Sequence, residues 1–125
     1  MRPANSEDLS AVQRLALALA QQESTAAEAI PTEAHIFVAE IGAAIAGMAV
    51  VHKHGAAHAK LTHLYVTGGH RLSGIGKALV RAVIDYIGSG IELELLVSST
   101  NLGAQAFYQK VSFQPADYLS LKCRT

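Results

Sequence analysis

Apolar residues recur at steps of three and four over residues 6–20, and this spacing predicts an amphipathic helix. Its apolar stripe consists of Leu9, Val12, Leu15, Ala16 and Leu19. Asn5 or Ser6 can cap the start of this helix, because short polar side chains accept hydrogen bonds from the first N–H groups. Residues 21–31 predict a second short helix, which Pro31 ends.

The next apolar segments are rich in β-branched and aromatic residues and predict strands at 35–41, 44–54 and 60–66. Gly42 permits the tight turn between the first two strands. Both faces of this strand pair are apolar, so we expect both faces of the sheet to be covered by other elements.

A helical period returns over residues 75–88, and Gly88 can end that helix. Its apolar stripe contains Ile75, Leu79, Ala82, Val83, Tyr86 and Ile87. Residues 91–98 alternate as a strand with Glu92 and Glu94 on its polar face. A short helix at 101–111 and an edge strand at 118–124, with Cys123 facing inward, complete the prediction.

The order of these elements predicts an α/β fold with a mixed, mostly antiparallel central sheet flanked by helices. Strand, glycine turn, helix and strand follow one another over residues 60–98, which is a βαβ unit and implies one parallel strand pair. No repeat or linker interrupts the pattern, and a chain of 125 residues is the usual size of one domain. We therefore expect a single domain over residues 1–125.

Composition narrows the functional classes. Lys plus Arg and Asp plus Glu number 10 each, so the formal net charge is zero and no basic excess indicates nucleic-acid binding. The single cysteine excludes an intrachain disulfide and fits a reducing compartment. The polar N-terminus lacks a signal-peptide pattern, and no apolar stretch is long enough to span a bilayer. We expect a cytoplasmic protein that binds neither nucleic acid nor membrane.

Two glycines lie at the start of the predicted helix 75–88, although glycine in a helix costs about 1 kcal/mol relative to alanine. Their presence indicates that another group must come very close to the backbone there. This segment reads RLSGIGKAL, and three known phosphate-binding patterns resemble it to different degrees. The Walker A pattern fails at Arg71 and Ala78, and the dinucleotide pattern fails at Leu79. The pattern R/Q-x-x-G-x-G/A fits completely over residues 71–76.

With this loop the sequence resembles the GNAT family, the GCN5-related N-acetyltransferases. Residues 101–113, NLGAQAFYQKVSF, resemble the family's next motif, N-x-x-A-x-x-F-Y-x-x-x-G-F, with Ser112 in place of its glycine. The opening RPANSEDL is similar to the family's usual start, but only Met1 precedes it. We therefore expect the first strand of the family fold to be nearly absent.

The resemblance implies acetyl-coenzyme A as co-substrate. It implies that the pyrophosphate lies on the loop before the helix, where unpaired N–H groups and the helix dipole favour an anion. The implied cofactor-binding residues are Leu64, Tyr65, Val66, Arg71, Leu72, Ser73, Gly74, Ile75, Gly76, Lys77, Asn101, Phe107 and Tyr108. The implied catalytic groups are the N–H of Leu64, as oxyanion donor, and Tyr108, as the acid that protonates the leaving thiolate.

The residue that accepts the proton of the amine is left open by the sequence. Many family members carry Glu or His on the strand before the loop, where this chain has Lys60 and Thr62, and neither is a convincing base. His52, His54, His63 and a water chain stay as alternatives. His52 and His54 share one strand face, but no third metal ligand is apparent in the sequence, so we expect no metal.

The resulting hypothesis is transfer of an acetyl group from acetyl-CoA to a primary amine by direct attack. The acceptor is a small-molecule or peptide amine that the sequence does not identify further. The alternative is a non-catalytic GNAT-fold domain that binds acyl-CoA as a sensor or interaction module, which the missing acidic base favours. The exposed edge strand at 118–124 also predicts a possible homodimer.

Overall fold

A computed structural model of the protein describes residues 1–22, 30, 33–70, 74–97 and 101–113. Its strands are β1 (Arg2–Pro3), β2 (His35–Ile41), β3 (Ala44–Lys53), β4 (His58–Val66) and β5 (Glu92–Glu94). Its helices are α1 (Leu9–Gln22), α2 (Ile75–Ile87) and α3 (Leu102–Lys110), with short 3-10 helices at Ser6–Asp8 and Gly68–His70. None of the described helices is long and apolar enough to cross a membrane.

The strands form one sheet in the order β1-β2-β3-β4-β5. The neighbours β1 to β4 pair antiparallel, whereas β4 and β5 are parallel, because α2 forms the crossover between them. The predicted mixed sheet with one parallel pair is therefore confirmed. The first strand has only two residues, as the short sequence before the first helix predicts.

Helices cover both faces of the sheet, as the apolar pattern of the hairpin predicts. On one face α2 packs on a buried cluster that includes Ala49, Val51, Leu61, Leu79 and Val83. On the other face α1 packs on a second cluster that includes Val12, Leu15, Val38, Met48 and Val50. The central strand β3 is buried over Ile45–Val51, because alternate residues contribute to the two clusters.

An ion pair fastens β1 to the start of α1. The guanidinium of Arg2 donates to both carboxylate oxygens of Asp8, at 2.7 and 3.0 Å. Asp8 also accepts from the backbone N–H of Asn5, and the Asn5 side chain accepts from the N–H of Glu7, so Asn5 is the predicted cap. The hydrogen bonds from Arg2, together with the one from the Asn5 backbone, lower the pKa of Asp8. The hydrogen bonds to Asp8 and Glu40 raise the pKa of Arg2.

Several element boundaries differ from the sequence prediction. The first helix continues to Gln22, and β4 begins at His58 instead of residue 60, because Ala59 is buried and pairs with Lys53. β5 is shorter than predicted, since pairing ends at Glu94. The predicted helix at 21–31 lies mostly outside the described residues, and the predicted strand at 118–124 lies wholly outside them.

Two residues of the predicted apolar stripes lie at the surface. Leu9 is 56% exposed and Tyr86 is 39% exposed. The ring of Tyr86 stacks on that of His35 with centroids 4.1 Å apart, and the ammonium of Lys53 lies 4.5 Å from its centroid. The aromatic face of Tyr86 is thus covered by side chains from two strands rather than by the core.

A β-bulge in β4 sets which of its residues face the site. Val50 pairs with His63 but Val51 pairs with Leu61, so Thr62 is the extra residue of the bulge. Beyond it, Leu64 and Val66 pack on the α2 side of the sheet and Tyr65 packs on the α1 side.

Candidate active site

The parallel strands β4 and β5 pair only at their beginnings. The register joins His58 to Glu92 and Lys60 to Glu94, and pairing stops there. β4 continues to Val66, whereas residues 95–97 leave the sheet. The two chain segments therefore diverge, and a gap opens beside the second half of β4.

The N-terminus of α2 lies at this gap and is built for an anion. Gly74 caps the helix with φ of 86°, a left-handed conformation that favours glycine, and it provides no side chain to satisfy the first N–H groups. The first intrahelical bond runs from the N–H of Ala78 to the carbonyl of Gly74, at 3.0 Å. The N–H groups of residues 75–77 therefore have no acceptor within the helix, and that turn carries no acidic side chain.

Glycine is needed at position 76 for a different structural reason. A Cβ atom at this position would lie 3.2 Å from Cζ of Phe107, a contact so close that the ring would have to shift by a few tenths of an ångström. The glycine therefore allows α3 to pack its aromatic ring directly against the first turn of α2. A side chain at position 76 would therefore meet Phe107.

The helix α3 is capped at both ends by residues of the second motif. At its start, the side-chain oxygen of Asn101 accepts from the N–H of Ala104 at 3.0 Å. At its end, the N–H of Phe113 donates to the carbonyl of Tyr108 at 2.9 Å, and that of Ser112 donates to Gln109 at 3.1 Å. This pair of bonds is a Schellman motif.

The Schellman motif fixes the surroundings of Tyr108. It requires a left-handed residue after the helix, and Ser112 adopts φ of 80°. Its usual hydrophobic contact is present, since the rings of Phe113 and Tyr108 lie 5.6 Å apart in an edge-on arrangement. The ring of Phe107 also lies edge-on to that of Tyr108, with centroids 5.3 Å apart. The second motif therefore consists of a cap at each end of α3, with an aromatic pair between them.

A cleft of about 480 Å³ joins these parts. It brings together eight of the predicted site residues, which are Leu64, Val66, Gly74, Gly76, Lys77, Asn101, Phe107 and Tyr108. The side chain of Tyr65 packs on the opposite face of the sheet, and Ile75 is buried in the core under α2. Arg71, Leu72 and Ser73 lie outside the described residues.

The cleft also contains residues that the sequence analysis did not assign to it. Gln22 reaches it because α1 is longer than predicted, and His70 reaches it from the 3-10 helix that follows β4. Gln22 fell within the second predicted helix, at 21–31, so no sequence signal pointed to it, whereas the position beside the glycine loop was an available signal for His70. Among the described lining residues, the ionisable groups are Lys77, His70 and Tyr108, and there is no carboxylate.

The histidines considered as a base are not in the described lining of the cleft. His63 is 3% exposed, and its Nδ1 lies 2.8 Å from the hydroxyl of Thr62. His52 and His54 are neighbours at the far end of β3, with Nδ1 and Nε2 3.2 Å apart.

Comparisons with known proteins agree with this architecture. The sequence model of the acetyltransferase (GNAT) family matches residues 6–113. The fold is similar to the aminoglycoside N-acetyltransferase AAC(6')-Iy, solved with CoA, with a TM-score of 0.78, 20% identity, and coverage of 99% of this chain and 98% of that one. No match was found among curated proteins.

Two further solved structures share the fold over almost the whole chain. The ribosomal-protein-alanine N-acetyltransferase from Brucella melitensis biovar Abortus 2308 matches with a TM-score of 0.77 and 22% identity over 99% of this chain and 97% of that one. A transcriptional regulator from Bacillus halodurans C-125 matches with a TM-score of 0.74 and 20% identity over 99% and 97%. At these identities the similarity shows the fold alone.

A mixed sheet that opens between its parallel strands, beside a glycine-capped helix, defines a protein of the acyltransferase fold class. The family match extends over most of the sequence and includes both motifs. The chain belongs to the acetyltransferase (GNAT) family, whose members transfer acyl groups with acetyl-CoA as co-substrate.

Proposed function

We propose that this protein transfers the acetyl group of acetyl-CoA to a primary amine by direct attack. The observation that carries the proposal is the N-terminus of α2, where N–H groups without helical acceptors open onto a cleft with no carboxylate among its described lining residues. An anionic cofactor is the ligand that this charge distribution favours, and the family supplies its identity.

The pyrophosphate of the cofactor binds at the first turn of α2. The N–H groups of residues 75–77 donate to its oxygens, and Lys77 adds a positive charge at the mouth of the cleft. Arg71 contributes a second cation through the sequence motif. Among the described residues, its chain neighbours apart, no atom lies within 4 Å of a Cβ built at Gly74, so a ligand can approach its backbone from that side.

The pantetheine arm extends from this turn into the gap beside β4. Leu64 and Val66 line the cleft on that strand, and their peptide groups can hydrogen-bond the amides of the arm in the manner of an added strand. The N–H of Leu64 polarises the thioester carbonyl. Asn101 contributes its side-chain amide, whose oxygen already accepts from the backbone of α3.

The reaction then proceeds through one tetrahedral intermediate. The amine nitrogen attacks the thioester carbon, the C–S bond breaks, and the acetyl group stays on nitrogen. Coenzyme A leaves as a thiolate that takes a proton from the hydroxyl of Tyr108, while the surplus proton of the amine passes to a base. His52, His54 and His63 do not line the described cleft, whereas His70 does, so the base is either the imidazole of His70 or a water.

The acceptor is a small-molecule or peptide amine. Similar folds act on aminoglycosides and on ribosomal-protein alanine, so both classes belong in the first substrate panel. Gln22 lines the cleft at the end of α1 and is the described residue best suited to contact an acceptor through its amide. A homodimer stays a prediction, because the strand at 118–124 that suggests it lies outside the described residues, and light scattering measures it.

The first experiment is a thermal-shift comparison of CoA, acetyl-CoA, ATP and NAD at millimolar concentration. A ligand at 100 times its Kd stabilises the folded protein by about 2.7 kcal/mol, which is easily detected. We expect CoA and acetyl-CoA to raise the melting temperature. A shift with ATP or NAD but with neither form of CoA would contradict the cofactor assignment.

Tyr108→Phe tests the catalytic step. It removes only the hydroxyl, so the ring contacts with Phe107 and Phe113 persist. With an accepted amine, kcat should fall by roughly 10² to 10⁴, the usual contribution of a positioned acid, while acetyl-CoA affinity changes little. Release of free CoA thiol is the assay, and Tyr86→Phe, a surface tyrosine on α2, is the matched control. Equal turnover in the two variants would exclude Tyr108 as the acid.

The alternative is an acyl-CoA-binding domain without turnover, and the cleft's lack of a carboxylate among its described residues favours it. This alternative predicts a CoA-induced thermal shift together with no thiol release for any amine in the panel. Thiol release above the hydrolysis rate with one amine decides for the enzyme.

A further inference from the structure

Three potential metal ligands meet where β4 and β5 begin. They are His58, Glu92 and Glu94, and one ligand atom from each lies within 4.8 Å of the other two. Nε2 of His58 is 3.6 Å from a carboxylate oxygen of Glu94. This cluster is separate from the cleft, whose β4 residues begin at Leu64.

The backbone beneath the cluster is held by strand pairing. His58 and Glu92 are register partners in the parallel pair, as are Lys60 and Glu94. The N–H of His54 donates to the carbonyl of His58 at 2.8 Å, and the N–H of Glu92 donates to that of Ala57 at 2.9 Å. The ligands therefore project from a hydrogen-bonded framework, which limits the rearrangement that binding requires.

The donor atoms suit a divalent transition metal. Around a tetrahedral Zn²⁺ with bonds near 2.1 Å, neighbouring donor atoms lie about 3.4 Å apart. The His58–Glu94 distance of 3.6 Å already matches this spacing, and Glu92 needs only a side-chain adjustment. Two carboxylates and a neutral imidazole carry two negative charges, which a divalent cation neutralises. An imidazole ligand favours Zn²⁺ and its neighbours over Mg²⁺ or Ca²⁺.

One further imidazole, that of His54, lies beside His58. The ring of His54 lies 6.1 Å from that of His58 and 4.4 Å from that of His52, centroid to centroid. Two imidazoles on one tetrahedral zinc have centroids about 5 Å apart, so His54 is close to the position of a fourth ligand. The sequence expectation of no metal considered only His52 and His54, because His58 was assigned to a loop and the glutamates to a solvated face.

We propose that His58, Glu92 and Glu94 form a binding site for a divalent transition metal such as Zn²⁺. The metal joins the first residues of β4 and β5, at the closed end of the strand pair whose other end opens into the cleft. Its role is structural: it fastens β5 to the sheet, where the described strand pairing covers only three residues of each strand.

The test uses tag-free protein, because a histidine tag would itself bind the metal. Titration calorimetry with Zn²⁺ should give one site per chain, and Zn²⁺ should raise the melting temperature in the absence of CoA. Co²⁺ should give the visible absorption of a site with mixed nitrogen and oxygen ligands. Mg²⁺ and Ca²⁺ should not compete. No heat and no thermal shift with Zn²⁺ would overturn the proposal, as would displacement by Mg²⁺.

Variants locate the site. His58→Gln and Glu94→Gln should each weaken Zn²⁺ binding by roughly 10-fold to 100-fold or more, because each removes a direct ligand. The matched controls are His70→Gln, in the cleft, and Asp85→Asn, an exposed carboxylate paired with Arg81 on α2. Both controls should bind as the parent does. Unchanged binding in His58→Gln and Glu94→Gln, with loss in His52→Gln, would assign the metal to the histidine pair on β3 and refute the site.

Discussion

Ser112→Gly should stabilise the protein, because Ser112 is a residue with a side chain in a conformation that favours glycine. Its φ of 80° is the left-handed position of the Schellman motif that ends α3. Among the described residues it is the one non-glycine with positive φ. The family's glycine at this position is thus explained by backbone geometry, and this chain retains the turn without it.

The expected gain follows from two opposing contributions. A left-handed conformation costs a residue with a Cβ atom roughly 1 to 2 kcal/mol. Glycine avoids this cost but loses more backbone entropy on folding, which offsets the gain by about 0.5 to 1 kcal/mol. The net gain in the free energy of unfolding is then about 0.5 to 1 kcal/mol, or roughly 2 to 4 °C in melting temperature for a domain of this size.

Thermal and urea unfolding of Ser112→Gly and Ser112→Ala measure this gain. Alanine removes the hydroxyl but keeps the Cβ atom, so it should unfold like the parent. Turnover should be unchanged in the glycine variant, because the bonds that hold Tyr108 are backbone bonds. If Ser112→Gly is no more stable than Ser112→Ala, the strain argument is wrong. If both variants are destabilised, the serine hydroxyl has a role that the backbone geometry does not explain.

Further predictions concern the glycine turn and the N-terminal ion pair. Gly74→Ala should lower stability by about 1 kcal/mol, because its φ of 86° disfavours a Cβ atom. Gly76→Ala should instead shift the ring of Phe107 and weaken CoA binding by about tenfold. Its stability should change less, because alanine favours the helix by about 1 kcal/mol relative to glycine. Equal CoA affinities of the variant and the parent by calorimetry would contradict this prediction. The pKa of Asp8 is lower in the folded state than in the unfolded state. The ion pair with Arg2 therefore stabilises the fold fully above the pKa of an unfolded aspartate, and this stabilisation is lost as the pH falls through the folded-state pKa. Asp8→Asn should therefore lose less stability than the parent between about pH 6 and pH 3, and parallel losses would refute the coupling.

Most of the fold could be predicted from hydrophobic spacing. The strands β2 and β3 and the helix α2 have strong periodic patterns, and the structure has them within one or two residues of the predicted positions. The errors occur at element ends. β4 starts earlier because Ala59 gains burial from its partners on both sides, which no local pattern shows.

The candidate site was predicted more unevenly. The glycine loop and the second motif indicated six residues that line the cleft, and the strand before the loop indicated two more. Strand alternation alone places Tyr65 away from Leu64 and Val66, so its side chain could have been excluded. The bulge at Thr62 and the grouping of His58 with Glu92 and Glu94 depend on pairing between distant segments. Such register is set by tertiary packing, and the sequence offered no turn motif to fix it.

Lys77 provides a test in which stability and binding change in opposite directions. It lies in the first turn of α2, where the positive end of the helix dipole disfavours a cation by about 0.3 to 1 kcal/mol. A lysine in this unfavourable position is expected if a bound anion compensates it. Lys77→Glu should therefore stabilise the ligand-free protein by about 1 kcal/mol, because it both removes the cation and adds a favourable anion.

The same substitution should weaken CoA binding by roughly 10-fold to 100-fold, since a charge-assisted hydrogen bond contributes about 1.5 to 3 kcal/mol. Lys77→Gln should be intermediate in both measurements, and high salt should reduce the stability difference, because the side chain is exposed. Melting curves without ligand and calorimetry with CoA give the two values. A ligand-free protein destabilised by Lys77→Glu would show that the lysine has a structural partner. Unchanged CoA affinity would remove the first turn of α2 from the pyrophosphate site, whatever the stability change.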